Sequence, residues 1–223
     1  MNGRERSDTG ILLAGGQSSR MGQPKMAMRI RGESLLAHTA RALLACCQEV
    51  LIIGAPQGCA DGVNEALEDL GSTPELRILR DQHAYQGPLP AILRGLREAR
   101  HELCFVAAGD SPFLSPDLVG GMLDTLRSDP ASQALVPRVD GFRQPLTAAY
   151  RCQPMASHFG KALARGENSP TASLEGALVR EVPEDDLRAW DPRKRSFLNI
   201  NSAEDLAAAR ALPIQATANS SED

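Results

Sequence analysis

The sequence predicts one α/β domain, built on a mostly parallel, Rossmann-like sheet with helices on both faces. Short apolar runs alternate with segments of helical periodicity, which is typical of strands joined by crossover helices. The runs are apolar without interruption, as expected for strands that are buried on both sides. A chain of 223 residues is long enough for one such domain with a sizeable core.

The predicted elements follow each other regularly as far as residue 127. Strands are predicted at 10–14, 49–55, 75–81 and 102–110, and helices at 34–47, 59–71, 87–99 and 116–127. Ser34 is a suitable N-cap, Gly71 is a suitable helix end, and Asp117 lies in the first turn of its helix. The rest is less regular, with strands predicted at 133–139, 145–151, 177–182 and 197–200, and helices at 153–166 and 202–212, the last with Ser202 as N-cap.

Residues 10–212 are predicted to form a single domain, because the chain shows neither an internal repeat nor a linker. Residues 1–9 are polar and are predicted to be a flexible N-terminus. Residues 213–223 are small, polar and acidic, and are predicted to be a disordered tail. Ligands of such sheets bind at the carboxyl ends of the strands, so polar residues that follow the strands are the candidates for a functional site.

The overall charge and the cysteines exclude several classes of function. A formal net charge of −4 provides no basic field for nucleic acid or for an anionic membrane surface. No apolar run reaches the length of a membrane span, and no secretory signal is visible. The five cysteines form no CxxC pair and the four histidines lack metal-ligand spacing, so neither a disulfide framework nor a zinc site is expected. Cysteines that are not paired in disulfides favour a reducing, cytoplasmic location.

The segment after the first strand has the ingredients of a phosphate-binding loop. Gly15 and Gly16 allow backbone amides to point at an anion, and two serines follow them. Arg20 and Lys25 add two cations. The spacing matches neither of the two common phosphate-binding fingerprints, and a tight structural turn with solvated charges explains the same residues.

Polar or turn-forming residues also follow the later strands. Asp110 offers a hard carboxylate suited to Mg²⁺ that bridges phosphate oxygens. Because Ser111 and Pro112 follow it, an ordinary turn or a helix cap explains this aspartate equally well. Asp81 ends the preceding strand and Gly87 opens the next helix, where backbone amides suit an anion or a base, unless the segment is simply a loop.

Two asparagines precede the last predicted helix. A strand from Phe197 onwards places Asn199 and Asn201 on one face, because side chains alternate along a strand. Two neutral amides on one face could orient a phosphate or an acceptor, or complete a metal shell. A turn before a helix explains Asn201 but not both residues.

The chain resembles a known family of enzymes. Residues 12–25, L-L-A-G-G-x-S-S-R-M-G-x-P-K, closely resemble the nucleotide-binding signature of nucleotidyltransferases of the sugar-nucleotide and molybdenum-cofactor type. The family has an Asp-x-Pro, as at Asp110 here. The Gly-Pro-Leu at Gly87, the Asn-x-Asn at Asn199 and the segment around Arg143 resemble the molybdenum cofactor guanylyltransferases in particular. The resemblance runs from about residue 10 to residue 212.

This resemblance implies a nucleotide-diphospho-sugar transferase fold and an Mg²⁺-dependent transfer of GMP from GTP to the terminal phosphate of molybdopterin, with release of pyrophosphate. It implies that Asp110 holds the magnesium and that Arg20, Lys25 and Asp110 carry the catalysis. The implied nucleotide contacts are Leu13, Ala14, Gly15, Gly16, Lys25, Gly54, Asp81, Gly87 and Asp110, and the implied acceptor contacts are Arg143, Gln144, Asn199 and Asn201. A transient handover partner is implied as well, whereas nucleic acid and a membrane are not.

One position departs from the family pattern. Where the family often carries an asparagine that helps to read guanine, this chain has Gly54, which offers no side chain. Transfer of CMP to molybdopterin, or transfer to a sugar phosphate, is therefore an alternative with the same chemistry. A non-catalytic nucleotide-binding module is the alternative from another class, although it would be free to lose Arg20, Lys25 and Asp110. A nicotinamide dehydrogenase is disfavoured because no GxGxxG opens the fold.

Overall fold

The computed structural model describes residues 7–15, 24–56, 62–80 and 87–212. Ten strands lie in these ranges: β1 (Thr9–Leu13), β2 (Arg29–Ile30), β3 (Glu33–Ser34), β4 (Glu49–Gly54), β5 (Leu76–Arg80), β6 (Leu103–Ala108), β7 (Ala134–Val139), β8 (Phe142–Arg143), β9 (Thr147–Arg151) and β10 (Val179–Val182). Seven α-helices lie in the same ranges: α1 (Leu35–Leu44), α2 (Val63–Leu70), α3 (Pro88–Glu98), α4 (Pro116–Ser128), α5 (Cys152–Ala164), α6 (Glu184–Leu187) and α7 (Ala203–Ala211). Single 3₁₀ turns are formed by Lys25–Ala27, Ala172–Leu174 and Arg195–Phe197.

The central sheet has the strand order β10–β7–β9–β6–β1–β4–β5, and β8 joins it beside β7. β9 runs antiparallel to its neighbours β6 and β7. All other neighbouring strands on this path are parallel, namely β1 with β4 and with β6, β4 with β5, and β7 with β10. The carboxyl ends of β1, β4, β5, β6, β7 and β10 therefore meet at one edge. The predicted mostly parallel sheet is confirmed. β2 and β3 form a separate two-stranded hairpin.

Helices cover both faces of the sheet, as predicted. Leu12 of β1 packs in a core cluster with residues of α1 and α4, whereas Ile11 and Leu13 pack in a second cluster with α3 and α5. Burial of each such side chain contributes about 2 kcal/mol. The helix α3 approaches β1 closely because Gly95 has no side chain, and a Cβ there would lie 2.5 Å from Cγ2 of Ile11. The strand at the centre of the sheet is thereby fixed from both sides.

Local signals set several helix ends as predicted. The hydroxyl of Ser34 accepts a hydrogen bond from the backbone N–H of Ala37 at 3.3 Å, which caps α1. Gly71 ends α2 with a φ of 66°, a conformation that glycine adopts without strain. Ser202 caps α7. None of the helices in the described ranges has the length and apolar character of a membrane span.

Two predictions near the ends of the chain need correction. The segment predicted to be loose, 1–9, overlaps the fold, because Thr9 begins β1 and the buried Asp8 pairs with Arg127 at 2.5 Å. Residues 1–6, like the predicted tail 213–223, lie outside the described ranges. The strand predicted at 197–200 is wrong. The backbone N–H of Ile200 donates to the carbonyl of Asp110 at 3.0 Å, so this segment binds a loop at the sheet edge and not a neighbouring strand.

The hairpin of β7 and β8 was not predicted. Asp140 and Gly141 both have positive φ, 50° and 83°, and form the tight turn between the two strands. Their Asp-Gly sequence is a typical hairpin signal, but the prediction places only the strands 133–139 and 145–151 around it. The hairpin carries Arg143, and it extends the sheet beyond its carboxyl edge.

Candidate functional site

An ion pair lies at the carboxyl edge of the sheet. Asp110 follows the end of β6 by two residues, and Lys25 begins the 3₁₀ turn that comes after the loop from β1. The Nζ of Lys25 lies 2.5 Å from Oδ2 of Asp110. The two side chains are only 18% and 16% exposed, so water screens the pair incompletely. The structure therefore brings together two of the three residues predicted to be catalytic.

The two predicted asparagines bind different segments of the site. The side-chain oxygen of Asn201 accepts a second hydrogen bond from Nζ of Lys25 at 2.7 Å. The side-chain oxygen of Asn199 accepts a hydrogen bond from the hydroxyl of Ser111 at 2.7 Å. The prediction that both amides share one face of a strand is wrong, because no strand forms there. Asn199 and Ile200 instead bind the loop after β6, whereas Asn201 binds Lys25 in the 3₁₀ turn that follows the β1 loop.

Gly109 sets the path of the loop after β6. The N–H of Gly109 donates to the carbonyl of Leu13 at 2.9 Å, which joins the loop to the end of β1. A Cβ at Gly109 would lie 2.6 Å from Cδ1 of Leu36 and 3.0 Å from the Leu13 carbonyl oxygen. A side chain would push the loop away from β1, and with it Asp110.

Two residues of the site were missed at the level of sequence. Ser111 is fully buried and holds Asn199, although the sequence suggested only turn chemistry for it. The hydroxyl of Thr39 donates to the Ser111 carbonyl at 3.1 Å from the neighbouring helix α1. A polar residue on the apolar face of α1 was the one available signal for Thr39, since such a residue needs a partner in the core.

The loop after β1 is described only as far as Gly15. The carbonyl of Leu13 accepts from Gly109, and the N–H of Ala14 donates to the carbonyl of Ile53 at 2.9 Å. The N–H of Ala14 is therefore engaged in the sheet and is not available to an anion, and a contact of the nucleotide with another atom of Ala14 stays a prediction. Gly15 is exposed, and a Cβ there would meet nothing within 4 Å. Gly16 and Arg20 lie outside the described residues.

Two further predicted nucleotide contacts lie along the same edge. Gly54 is the last residue of β4 and pairs with Arg80 of β5. Gly87 immediately precedes α3 with a φ of 84°, so this turn favours glycine. Of the first three residues of α3 only Leu89 carries a backbone N–H, because Pro88 and Pro90 have none. Asp81 lies outside the described residues.

The predicted acceptor residues Arg143 and Gln144 precede β9 at the edge where Asp110 lies. The first residue of β9, Thr147, pairs with Ala107 near the end of β6. The guanidinium of Arg143 donates to Glu175 and to Glu181, both at 2.7 Å, and these two carboxylates raise the pKa of Arg143, Glu181 foremost. The side-chain amide of Gln144 donates to the carbonyl of Phe142 at 3.3 Å. Arg143 therefore already neutralises two acids of its own fold.

The donor set at Asp110 fits a magnesium ion that arrives with a phosphate ligand. Asp110 supplies one carboxylate, and the side-chain oxygens of Asn199 and Asn201 are hard donors close by. No cluster of three or more His, Cys, Asp or Glu side chains suited to a metal occurs in the described part of the chain. Mg²⁺ is commonly bound through one or two carboxylates together with substrate phosphates and water, so a single carboxylate suffices.

Comparison with known proteins gives a consistent result. Residues 10–177 match the family described as a MobA-like NTP transferase domain. The molybdenum cofactor guanylyltransferase of Desulfosudis oleivorans is 31% identical over 210 residues, which cover 91% of this chain and 94% of that protein. A protein of Natronomonas pharaonis named "Probable molybdenum cofactor guanylyltransferase" is 32% identical over 206 residues, with coverages of 91% and 96%.

A solved structure is similar over nearly the whole fold. Molybdopterin-guanine dinucleotide biosynthesis protein A from Archaeoglobus fulgidus aligns with a TM-score of 0.73 and 26% identity, covering 91% of this chain and 96% of that chain. The residues of the family match include Lys25 and Asp110, whereas Asn199 and Asn201 lie beyond its end.

Proposed function

The chain belongs to the MobA-like NTP transferase family, and on that premise we propose that it transfers GMP from GTP to the terminal phosphate of molybdopterin. The names of the relatives from Desulfosudis oleivorans and Natronomonas pharaonis support this choice of substrates. The products are molybdopterin guanine dinucleotide and pyrophosphate.

The observation that carries the proposal is the pair of Lys25 and Asp110 at the carboxyl edge, with Asn201 beside it. Nucleotidyl transfer depends on alignment and on neutralisation of the charge that develops on the phosphate oxygens. Lys25 provides a mobile point charge on a flexible stem, and Asp110 provides a carboxylate. A triphosphate at this edge offers Lys25 new partners in exchange for Asp110.

The proposed step needs no covalent intermediate on the protein. An oxygen of the acceptor phosphate forms a bond to the α-phosphorus, while the bond from that phosphorus to the oxygen bridging to the β-phosphate breaks. The leaving pyrophosphate keeps the electron pair of the broken bond. The acceptor phosphate is already an anion at neutral pH, so no side chain has to remove a proton from it. Lys25, together with Arg20, neutralises charge on the phosphates.

We further propose that Asp110 holds Mg²⁺, with Asn199 and Asn201 as neighbouring oxygen donors. When bound, the ion neutralises negative charge on the oxygens of the triphosphate. On the acceptor side, Gln144 lies beside β7, where its N–H donates to the carbonyl of Pro137, and Arg143 exchanges Glu175 or Glu181 for the acceptor phosphate. Arg143 is able to do so because the side chain of Glu175 is 77% exposed, and such an ion pair contributes little.

The choice of base rests on the backbone at the end of β4. Gly54 offers no side chain to guanine, so the neighbouring peptide groups are the elements that read the base. The backbone N–H groups of Gly87 and Leu89, at the start of α3, are the donors that this segment offers to the nucleotide.

Pyrophosphate release tests the function directly. We expect rapid release with GTP and molybdopterin, and little release with CTP or with a sugar 1-phosphate as acceptor. Preference for CTP would assign the chain to the cytidylyl branch, and turnover of a sugar 1-phosphate would assign it to the sugar-nucleotide branch. Binding of Mg²⁺·GTP without turnover of any acceptor would identify a non-catalytic module. Asp110→Asn is the inactive control.

A cytoplasmic location is part of the proposal. The described cysteines are free thiols, among them Cys104 and its neighbour Cys152. Burial raises the pKa of the Cys104 thiol, which keeps it protonated and unreactive. Neighbouring free thiols support a reducing compartment.

A further inference from the structure

We propose that Asp205 is a positioning residue: acting through Asn201, it holds the ammonium group of Lys25 at the carboxyl edge of the sheet, where the phosphates bind in the proposed reaction. The proposal rests on the proposed function, because it concerns the cation that acts on the phosphates. It goes beyond that function in giving the last helix of the fold a part in the reaction.

The first link joins Asn201 to Lys25. The Nζ of Lys25 donates to Oδ2 of Asp110 at 2.5 Å and to Oδ1 of Asn201 at 2.7 Å. The ammonium group is therefore fixed from two sides, one of them a neutral amide. The direction in which this amide points depends on the backbone of Asn201, because its side chain is short.

The second link joins Asp205 to the backbone of Asn201. One carboxylate oxygen, Oδ2 of Asp205, accepts from the N–H of Asn201 at 2.8 Å and from the N–H of Ser202 at 2.9 Å. Two successive peptide groups are thereby fixed by one side chain. The backbone that carries the Asn201 amide is consequently held at the start of α7.

A helix cap alone does not account for these contacts. The capping box of α7 consists of the bond from the Asp205 N–H to the Ser202 hydroxyl, at 3.0 Å, and the bond from the Ser202 N–H to Asp205. The bond from Asn201 lies one residue outside this box and adds nothing to the cap. It is the contact that connects the helix to the ion pair.

The helix that carries Asp205 is well anchored. Leu206 and Ala209 of α7 are buried in a cluster that also contains Ile200 and Met28. Asp205 therefore acts from a fixed element, and Asn201 is held between this element and the ammonium group of Lys25.

The pKa of the Asp205 carboxyl lies below its usual value, chiefly because the carboxylate accepts a hydrogen bond from the N–H of Asn201. The positive charge of Lys25 also lowers this pKa. Asp205 is thus an acceptor at neutral pH, and the hydrogen bonds that it accepts carry its effect on Asn201.

The test compares three variants. Asp205→Ala removes both the cap and the bond to Asn201. Ser202→Ala removes the other half of the capping box but leaves the bond from Asn201 to Asp205. It is the control for the loss of helix stability in Asp205→Ala, about 1 kcal/mol. Asp205→Asn keeps an acceptor oxygen. Thermal unfolding of all three verifies that they fold and that the first two lose similar stability.

The first measurement follows Lys25 itself and needs no substrate. The chain has three lysines, Lys25, Lys161 and Lys194, so acetylation by a small reagent, followed by mass spectrometry, resolves each one. The exposed Lys161 is the internal standard. We expect Lys25 to be acetylated about fivefold faster in Asp205→Ala than in the wild type, and within about twofold of the wild type in Ser202→Ala and Asp205→Asn.

The second measurement is steady-state pyrophosphate release from GTP. We expect kcat to fall about tenfold in Asp205→Ala, with little change in KM, and to stay within about threefold of the wild type in the two other variants. Equal acetylation of Lys25 in Asp205→Ala and Ser202→Ala would overturn the proposal, as would an Asp205→Asn variant that behaves like Asp205→Ala. A wild-type enzyme without turnover would contradict the proposed function, whereas the acetylation result would still decide the role of Asp205.

Discussion

Lys25 and Asp110 lie 85 residues apart in the sequence, yet Nζ of the one is 2.5 Å from Oδ2 of the other. Less than a fifth of either side chain is exposed, so each charge stabilises the other at the sheet edge. In the proposed reaction the two groups part, because Lys25 turns to phosphate and Asp110 to the metal. Replacing one or the other therefore has different consequences for turnover and for metal binding.

Asp110→Asn should abolish turnover without unfolding the protein. We expect pyrophosphate release to fall by at least about 100-fold, because the amide lacks the charge that holds the metal in the proposed reaction. The melting temperature should change little, since Asp110 lies at the edge of the site and outside the hydrophobic core. Asp117→Asn, an exposed change in the first turn of α4, is the matched control and should retain activity. Normal turnover of Asp110→Asn with Mg²⁺ would refute the assignment.

Lys25→Met should tighten metal binding in the absence of nucleotide. In the wild type the ammonium group occupies Oδ2 of Asp110, so a metal ion has to displace a cation. We expect the Kd for Mn²⁺, measured by electron paramagnetic resonance, to fall about tenfold in Lys25→Met, while turnover is lost. Lys161→Met should leave the Kd unchanged. The same Kd in the wild type and in Lys25→Met would show that the ion pair does not compete with the metal.

Glu49→Gln should make stability less dependent on pH in the acid range. Glu49 is 4% exposed; burial raises its pKa, but hydrogen bonds from Arg77 and Arg100 and the charge of Arg77 outweigh burial and leave the pKa below 4.5. The carboxylate therefore stabilises the fold above pH 4.5, and this contribution is lost as the pH falls through the lowered pKa of the folded state.

Urea unfolding at several pH values measures this effect. We expect the free energy of unfolding of Glu49→Gln to be about 2 kcal/mol lower than that of the wild type at neutral pH, with the difference shrinking below pH 4.5. Glu98→Gln, whose side chain is 48% exposed and lies 3.8 Å from Arg77, is the control and should show little change. A difference that stays constant down to low pH would contradict the role of the Glu49 charge.

Adjacent glycines of α4 should respond in opposite ways to alanine. A Cβ at Gly121 would lie 2.3 Å from the indole ring of Trp190, whereas a Cβ at Gly120 would meet only Sγ of Cys46 at 3.9 Å. Gly121→Ala should lower the free energy of unfolding by about 2 kcal/mol, because the ring has to move. Gly120→Ala should raise it by up to about 1 kcal/mol through helix propensity. Thermal unfolding of both variants is the measurement. Equal shifts of the melting temperature would show that the Trp190 ring moves aside without a cost in stability.

Much of the fold could be predicted because its signals are local. Uninterrupted apolar runs indicated buried strands, and Ser34, Gly71 and Ser202 marked helix ends through groups that bond within a few residues. The same locality explains the failures. The path of residues 197–200 depends on a bond from Ile200 to Asp110, and no pattern within the segment contains that information.

For the candidate site, the sequence by itself determined which residue types follow the strands, namely Lys25, Asp110 and the two asparagines, and the resemblance they carry. Only the tertiary structure decided their partners: Lys25 bonds to both Asp110 and Asn201, and Arg143 is engaged by two glutamates. The tertiary structure also directs the N–H of Ala14 to the carbonyl of Ile53 in the sheet. The physical reason is that charge pairing and hydrogen bonding depend on distance in space, which the folded chain sets between residues far apart in sequence.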